Sequence, residues 1–582
     1  MFHGRRLARG DLRGWRATVS RAWRDVVSRT WRDAASPAAR PGAPPDAVTQ
    51  SDFESIVSAM SDPAFYGGIS EAVEVRETPI SWVFLIGERA YKLKKPVVLP
   101  FLDYGSAERR REMCEREIEL NRRLAAEVYL GVRAVARRDG RLQLVPTAQD
   151  AIEHVVEMRR FDEADTLAAV VAGGRATTET VTAVGQRLAS FHEDAPICRE
   201  GEDALVAVEH IADGNFEVLL ASDGALPQGR VFAARRFADA FLAGHGPMLV
   251  ARAAAGFVRE GHGDLRAEHV LIGDEVEVVD CAEFDDQLRT IDVSADIAFL
   301  VMDLARLGRP DLGHALVDAY RHAGGDPGPD ALIAFHAAAR AWVRAKIAIL
   351  RASDPTTPPQ LRAAARAEAL ELLTLGERFA WQARLPLTLI VCGPPASGKS
   401  SLALRLSEMS GLSVIGSDET RKRQCGLEAT EHAPEDAYTA AASERTYAEL
   451  GRRAAGEIGA QGGVVVDATF GRSSNRRLFS AACVGLVAPI VFECRVPVDV
   501  MRSRARSRES DPERISDATS ETAARLRGRF QPLEDDVPAS RHFVVRTDQP
   551  VSAIVENVMS MLDRRLSEPD PPRPLDATRR SL

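Results

Sequence analysis

The stretch SWVFLIGERAYKLKKPVV, residues 81–98, gathers its apolar positions into two short runs broken at Gly87 and Glu88. Two such runs around a glycine-bearing break predict a pair of strands joined by a tight turn. The next stretch, SAERRREMCEREIELNRRLAAEV, is charged at most positions, yet Glu117, Leu120 and Leu124 recur at helical spacing and predict a helix with one buried stripe. Strand patterns then give way to a mainly helical region over residues 176–380. A second alternation of apolar strands and helices opens at LPLTLIVCGPP and runs to residue 565. The pattern therefore predicts an α+β module over 49–380 and an α/β module with a mostly parallel sheet over 386–565. Residues 1–48 carry Trp-Arg pairs at Trp15, Trp23 and Trp31, a spacing that builds no single helical stripe, and end in SPAARPGAPPDA. They are expected to be a basic extension, disordered or partly helical, and the proline-rich tail 566–582 is expected to be disordered.

A chain of 582 residues exceeds one hydrophobic core, which agrees with several domains. The net charge of −9 argues against a protein that coats nucleic acid or a membrane surface, while leaving local basic sites open. No two of the seven cysteines stand at a Cys-x-x-Cys spacing, so they read as reduced and mostly buried. Neither a run of transmembrane length nor a signal-peptide pattern appears, and a cytoplasmic location is the expectation. Lysine is rare: six stand against 69 arginines among the 75 basic residues. Three of the six, Lys92, Lys94 and Lys95, fall within four positions. Where guanidinium is the default cation, a retained ammonium suggests a chemical need for a compact charge on a flexible stem.

Lys399 illustrates that need. LTLIVCGPPASGKSSLALRL places an apolar strand before Gly393-Pro394-Pro395-Ala396-Ser397-Gly398-Lys399-Ser400 and a helix after it, opening through Ser401. This is the context that makes a G-x-x-x-x-G-K-S run a phosphate-binding loop. Its glycines let the backbone wrap a phosphate, Lys399 reaches the β and γ phosphates, and Ser400 holds Mg²⁺. No lysine after Lys399 supplies a guanine-reading N-K-x-D pattern, which disfavours GTP. Asp467 ends the apolar run GGVVVD and can join the Mg²⁺ shell, but Ala468 follows it instead of a water-activating glutamate. A motor ATPase is disfavoured accordingly. VIGSDETRK puts Asp418 at the end of a further strand, beside Arg421, and MRSRARSRESDPERISDAT is rich in arginine. On these motifs, residues 386–540 resemble the small-molecule and polynucleotide kinases of the zeta-toxin and AAA_33 type. The resemblance implies that Asp418 takes the acceptor hydroxyl's proton, that Arg421 binds substrate, and that Arg504 and Arg508 belong to a lid facing the transferring phosphate.

The strand lysines follow a second logic. Side chains alternate along a strand, so Lys92 and Lys94 share a face and Lys95 points away. A lysine on a buried strand needs an anionic partner, and Glu117, over the stripe of the following helix, is the candidate. Lys92 is the preferred strand lysine and Lys94 the alternative. Downstream, GHGDLRAEHVLIGDEVEVVDCAEFD offers His262-Gly263-Asp264, then His269, then a strand ending at Asp280. This resembles the H-G-D-x-x-x-x-N loop of aminoglycoside phosphotransferases and choline-type kinases, which implies a bilobal protein-kinase-like fold over 49–380. The resemblance makes Asp264 the catalytic aspartate and Asp280 a metal ligand, with His269 in the metal-binding place of the family asparagine and Glu283 a possible compensating carboxylate. No G-x-G-x-x-G precedes Lys92, so Ser81 or backbone N–H groups must meet the phosphates, and Met158 in VVEMRRF is the candidate hinge against adenine. Arg340 and Arg344 line one face of a later helix, either as an anionic-acceptor pocket or as a solvated surface.

The two-module arrangement resembles bacterial proteins that fuse an aminoglycoside-phosphotransferase-like module to a phosphate-loop kinase. It implies a bifunctional kinase that uses ATP and Mg²⁺ to phosphorylate hydroxyl groups of small molecules. Two alternatives stand beside it: a phosphate-loop kinase gated by a ligand-sensing pseudokinase, because His269 replaces asparagine, and a nucleic-acid end kinase using the arginine-rich first 40 residues.

Overall fold

The computed structural model describes residues 50–67, 71–99, 102–146, 149–198, 201–222, 224–355, 357–483, 489–509 and 515–567. The expected extension 1–48 and the tail from 568 onward lie outside the described residues. The rest gathers into two compact units, one of residues 1–225, 248–329 and 340–372 as far as described, the other of 226–247, 330–339 and 373–582.

The first unit opens with helix α1 (Gln50–Met60) and strands β1 (Glu74–Glu77), β2 (Ser81–Ile86) and β3 (Arg89–Lys94), followed by helix α2 (Ala107–Asn121). Strands β4 (Tyr129–Arg138), β5 (Arg141–Val145) and β6 (Glu153–Arg159) complete a six-stranded antiparallel sheet of order β1-β2-β3-β6-β4-β5. Period-two alternation gives this sheet two faces. Tyr91 and Leu93 pack with Phe53, Ile56 and Met60 of α1, whereas Ala90 packs with Cys114 and Ile118 of α2. Lys92 and Lys94 therefore project toward α2. Ser106 starts α2 by accepting a hydrogen bond from the Arg109 N–H, a cap that satisfies one of the four orphan donors of a helix start.

The chain of this unit continues with helix α3 (Thr178–Asp194), short strands β7 (Val258–Glu260), β8 (Val270–Ile272), β9 (Val276–Val278) and β10 (Thr290–Asp292), helices α4 (Val293–Arg306) and α5 (Pro310–His322), and the part of helix α6 (Asp330–Ser353) from Arg340 onward. The strand expected to end at Asp280 stops at Val278. Asp280 turns into the left-handed region at φ 63°, which re-aims its carboxylate.

The second unit holds a five-stranded sheet in which every pairing is parallel. Its elements are β11 (Leu387–Cys392), α7 (Lys399–Ser410), β12 (Val414–Gly416), α8 (Ser417–Gln424), α9 (Ala440–Gln461), β13 (Gly463–Ala468), β14 (Ile490–Arg495), α10 (Val498–Glu509), β15 (His542–Arg546) and α11 (Val551–Ser567). The strand order is β12-β13-β11-β14-β15. Apolar clusters cover both faces, as a parallel sheet requires. The chain order of the strands reverses beside β11, and ligands of open α/β sheets bind at such a switch point, off the carboxyl ends of the strands. Residues 226–247 and 330–339 belong to this unit: Phe241 stacks on Phe335 at 4.2 Å, and Arg236 and Arg384 both clasp buried Asp563.

Candidate functional site

In the first unit the β3 ammoniums and the α2 carboxylate meet. Lys92 Nζ donates to Glu117 Oε1 and to Asp280 Oδ1, both at 2.8 Å. Lys94 Nζ donates to Glu117 Oε2 at 2.6 Å and to Glu283 Oε1 at 2.5 Å, while the Tyr104 hydroxyl donates to the same Glu283 oxygen. Glu117 thus bridges both lysines. The two differ in access: the Lys94 side chain is 0% exposed, and that of Lys92 is 15% exposed and lines a cleft. Burial pulls the Lys92 ammonium down, but Asp280 and Glu117 outweigh it and hold its pKa well above the ordinary lysine value. Lys92 in turn holds the Asp280 carboxyl well below the usual carboxylate range. Lys95 points the other way, to Glu77 and over the Trp82 ring, and Glu115 and Glu119 make exposed pairs with Arg111 and Arg116.

The His262-Gly263-Asp264 loop is hung on Asp296 of α4. Its carboxylate accepts the backbone N–H of His262 at 2.6 Å and of Gly263 at 2.9 Å, and His192 Nε2 lies 3.3 Å away. Gly263 sits at φ 84°, and a Cβ there would stand 2.7 Å from the Leu288 carbonyl oxygen, so only glycine fits. His262 Nε2 donates to the Val279 carbonyl, and burial pushes the imidazole's pKa down, which keeps it neutral. Asp264 projects into the cleft with 39% of its side chain exposed, its carboxylate 3.4 Å from Arg266 Nε.

His269 has specific employment. Its Nδ1–H donates to the Asp264 carbonyl at 2.9 Å, which leaves Nε2 as the acceptor facing Arg266 Nη2 at 3.0 Å, with Asp280 Oδ2 3.7 Å off. The ring ties the aspartate loop to Arg266 instead of presenting a free lone pair. The cleft, about 1240 Å³, brings together Ser81, Lys92, Met158, Asp264, His269 and Asp280, with Glu117 behind Lys92.

In the second unit the loop 393–400 leaves β11 with Gly393 at φ 142°, Ala396 at φ 65° and Gly398 at φ 88°. A Cβ on Gly393 would lie 2.8 Å from both the Cys494 carbonyl and Ser397 Oγ. Helix α7 begins directly at Lys399 with no side-chain cap, so its first N–H groups are left to an anion. Lys399 Nζ stands 3.3 Å from Asp467 Oδ1 at the end of β13. Pro394, Pro395 and Ser401 complete the loop's flanks. Asp418, expected at the end of a strand, lies instead in the first turn of α8, because β12 stops two residues earlier at Gly416, the register partner of Asp467. The expected substrate-binding Arg421 donates to the Ala437 carbonyl at 2.6 Å and stacks over Tyr438. Arg504 donates to the Thr547 carbonyl at 2.7 Å, and the Thr547 hydroxyl donates to the Ser397 carbonyl, which ties helix α10 to the loop. The side chain of Arg508 lies outside the described residues.

Among the described residues no group of three or more His, Cys, Asp or Glu side chains is arranged to hold a metal alone. Mg²⁺ takes one or two carboxylates and completes its octahedron with phosphate oxygens and water. Oxygen donors of that kind are present: Asp467 Oδ1 on β13 and Ser397 Oγ in the loop are enclosed and make no hydrogen bond among the described residues, and Ser400 stands in the first turn of α7.

Several contributors carry no motif: Asp296, Asp303, which accepts the Ala267 N–H, and Tyr129, whose hydroxyl accepts the Asp280 N–H. A signal existed for the first two, since they are the only charges on the otherwise apolar buried run Val293–Leu304 of α4.

The first unit thus carries a cleft lined by Lys92, Asp264 and Asp280, and the second a glycine-turned loop that leads into the uncapped start of α7. The family described as AAA domain, AAA_33, matches residues 389–533. Uncharacterised proteins of Mycobacterium tuberculosis (strain ATCC 25618 / H37Rv) and Mycobacterium bovis (strain ATCC BAA-935 / AF2122/97) are each 35% identical over 470 residues, spanning 78% of this chain and 90% of theirs. The chain belongs to the family of these mycobacterial proteins. Among solved structures it is similar to a choline/ethanolamine kinase family protein from Mesorhizobium loti, with 15% identity, TM-score 0.36, and 57% of this chain and 98% of that one covered. It is also similar to a gluconokinase from Sinorhizobium meliloti, with 21% identity, TM-score 0.23, and coverage of 31% and 94%. No helix among the described residues is long and apolar enough to cross a membrane.

Proposed function

We propose that the protein is a bifunctional, ATP- and Mg²⁺-dependent kinase that phosphorylates hydroxyl groups of small molecules in each unit. The observation that carries this reading is Lys92, held between Glu117 and Asp280 at 2.8 Å each and facing the cleft that Asp264 also lines. An ammonium so placed meets nucleotide phosphates on one side while two carboxylates fix its position. In the first unit Asp264 orients the acceptor hydroxyl and receives its proton, Asp280 is the metal ligand, and backbone groups beside Met158 hold the base. His269, paired with Arg266 and the Asp264 carbonyl, positions the loop that carries Asp264.

In the second unit the loop 393–400 and the uncapped start of α7 bind the phosphates, Lys399 neutralises the transferring group, and Asp418 orients the acceptor. Ser400 and Asp467 would hold Mg²⁺, which when bound screens the charge shared by the β and γ phosphates. Arg504, anchored at Thr547, faces the loop from the lid. Incubation of the full chain with ATP and a metabolite extract, read by mass spectrometry, tests the reading. Asp264→Ala and Lys399→Ala should each abolish a different phosphorylated product. A pattern in which only Lys399→Ala abolishes products supports the second reading, a sensor in the first unit, for which the ring of His269 in place of a metal-binding asparagine is the favouring observation.

A further inference from the structure

The cleft of the first unit has a second wall. Phe284 and Leu288 come from the segment after Asp280, Phe299 from α4, and Arg340, Val343 and Ile347 from α6. The spacing of 340, 343 and 347 puts three side chains of α6 on one helical face. That face carries Arg340 and Arg344 among apolar positions; Arg344 stands 3.8 Å from Glu368, and Ile347 is 45% exposed at the end of the wall.

Arg340 is the anomaly of this wall. The other arginines that line the cleft are neutralised: Arg76 and Arg160 by Glu74, and Arg159 by Glu277. Arg340 makes no ion pair among the described residues. Its guanidinium sits 4.9 Å over the Phe299 ring, Nε reaches the Ala295 carbonyl at 3.5 Å, and the two terminal nitrogens have no partner. Burial pulls its pKa below the ordinary arginine value, against the pull of Asp296 and Asp264 in the other direction. A partly buried guanidinium over an aromatic ring, with no ion pair among the described residues, is a preorganised receptor for a carboxylate or phosphate.

We propose that the acceptor of the first unit is an anionic alcohol: a small molecule that offers a hydroxyl to Asp264, a carboxylate or phosphate to Arg340, and an apolar body to Phe284, Leu288, Phe299, Val343 and Ile347. The inference rests on the reading of this unit as an active kinase. In the reaction the acceptor oxygen forms a bond to the γ phosphorus as the bond from that phosphorus to the ADP oxygen breaks, and the hydroxyl proton passes to Asp264. The acceptor's own anion stays bound to Arg340 throughout, so it sets KM more than kcat.

The test uses the full chain and a panel of alcohols matched in carbon skeleton that bear a carboxylate, a phosphate, an amide or an ammonium group. Binding is read by ligand-observed NMR and turnover by ATP consumption. Carboxylate or phosphate members should bind best, and the better of the two identifies the anion. Arg340→Gln should raise KM or Kd for them about 10- to 100-fold with little change in kcat, as loss of a charge-assisted bidentate contact does, and Arg340→Lys should restore part of the loss. Preference for amide or ammonium members, no binding by any anionic member, or an unchanged KM in Arg340→Gln overturns the proposal. If anionic members bind through Arg340 but Asp264→Ala leaves all turnover intact, the kinase reading of this unit fails while the anion subsite stands.

Discussion

The two lysines assigned to phosphate capture are held in opposite ways. Lys92 is fixed by carboxylates that lie 25 and 188 residues away in the sequence, on α2 and after β9. Lys399 belongs to a loop of eight consecutive residues whose backbone does the wrapping, and its Nζ stands 3.3 Å from Asp467 Oδ1. A buried charge network makes catalytic geometry and fold stability the same thing, because removing one partner strands another charge in low dielectric. A backbone cradle separates them, since the amide groups remain when the side chain goes.

That contrast can be broken from its strongest side first. Glu117→Gln leaves two ammoniums facing one another without their shared carboxylate, and should destabilise the first unit by about 3–5 kcal/mol. Denaturant unfolding of the full chain, with hydrogen exchange of amides 81–121 as the local probe, should show early opening of that unit, and native-like protection would contradict the account. Lys399→Ala should lower phosphoryl transfer by the second unit about 10²- to 10³-fold, as loss of a charge-stabilising group does. Its stability should move by only about 1 kcal/mol. Steady-state kinetics and melting on the same sample check both halves of that statement.

Acid offers a subtler probe. Burial pushes the Asp296 carboxyl up, yet the His192 and His262 contacts outweigh it and leave the pKa at about 2 against an ordinary 3.8. A folded value below the unfolded one stabilises the fold above the unfolded pKa, and this contribution, about 2 kcal/mol, is lost as pH falls from about 4 toward 2. Asp296→Asn should flatten that part of the stability curve, and an unchanged acid limb would contradict it. The exposed pair Arg111–Glu115 sets the floor: Glu115→Gln should change stability by only about 0.5 kcal/mol or less.

The same contrast explains what the sequence reveals. The loop 393–400 is legible because its function lies in local backbone geometry that contiguous glycines encode. The hairpin over 81–94, helix α2 and the parallel sheet of the second unit are legible from their periods. Strand alternation puts Lys92 and Lys94 on one face, but the division of labour between them depends on Tyr104 and Glu283, which enclose Lys94, and no spacing rule joins residue 94 to 283. Residues 226–247 and 330–339 join the second unit through Phe241, Phe335 and the Asp563 arginines, contacts set by long-range packing. The role of His269 likewise depends on Arg266, a neighbour whose direction only the folded loop fixes.

Counting nucleotide sites on the intact chain tests the central claim most directly. Equilibrium dialysis with a non-hydrolysable ATP analogue and Mg²⁺ should give two sites per chain, with Lys92→Ala and Lys399→Ala each removing one and the double variant removing both. A single site, lost in Lys399→Ala and untouched in Lys92→Ala, would contradict it.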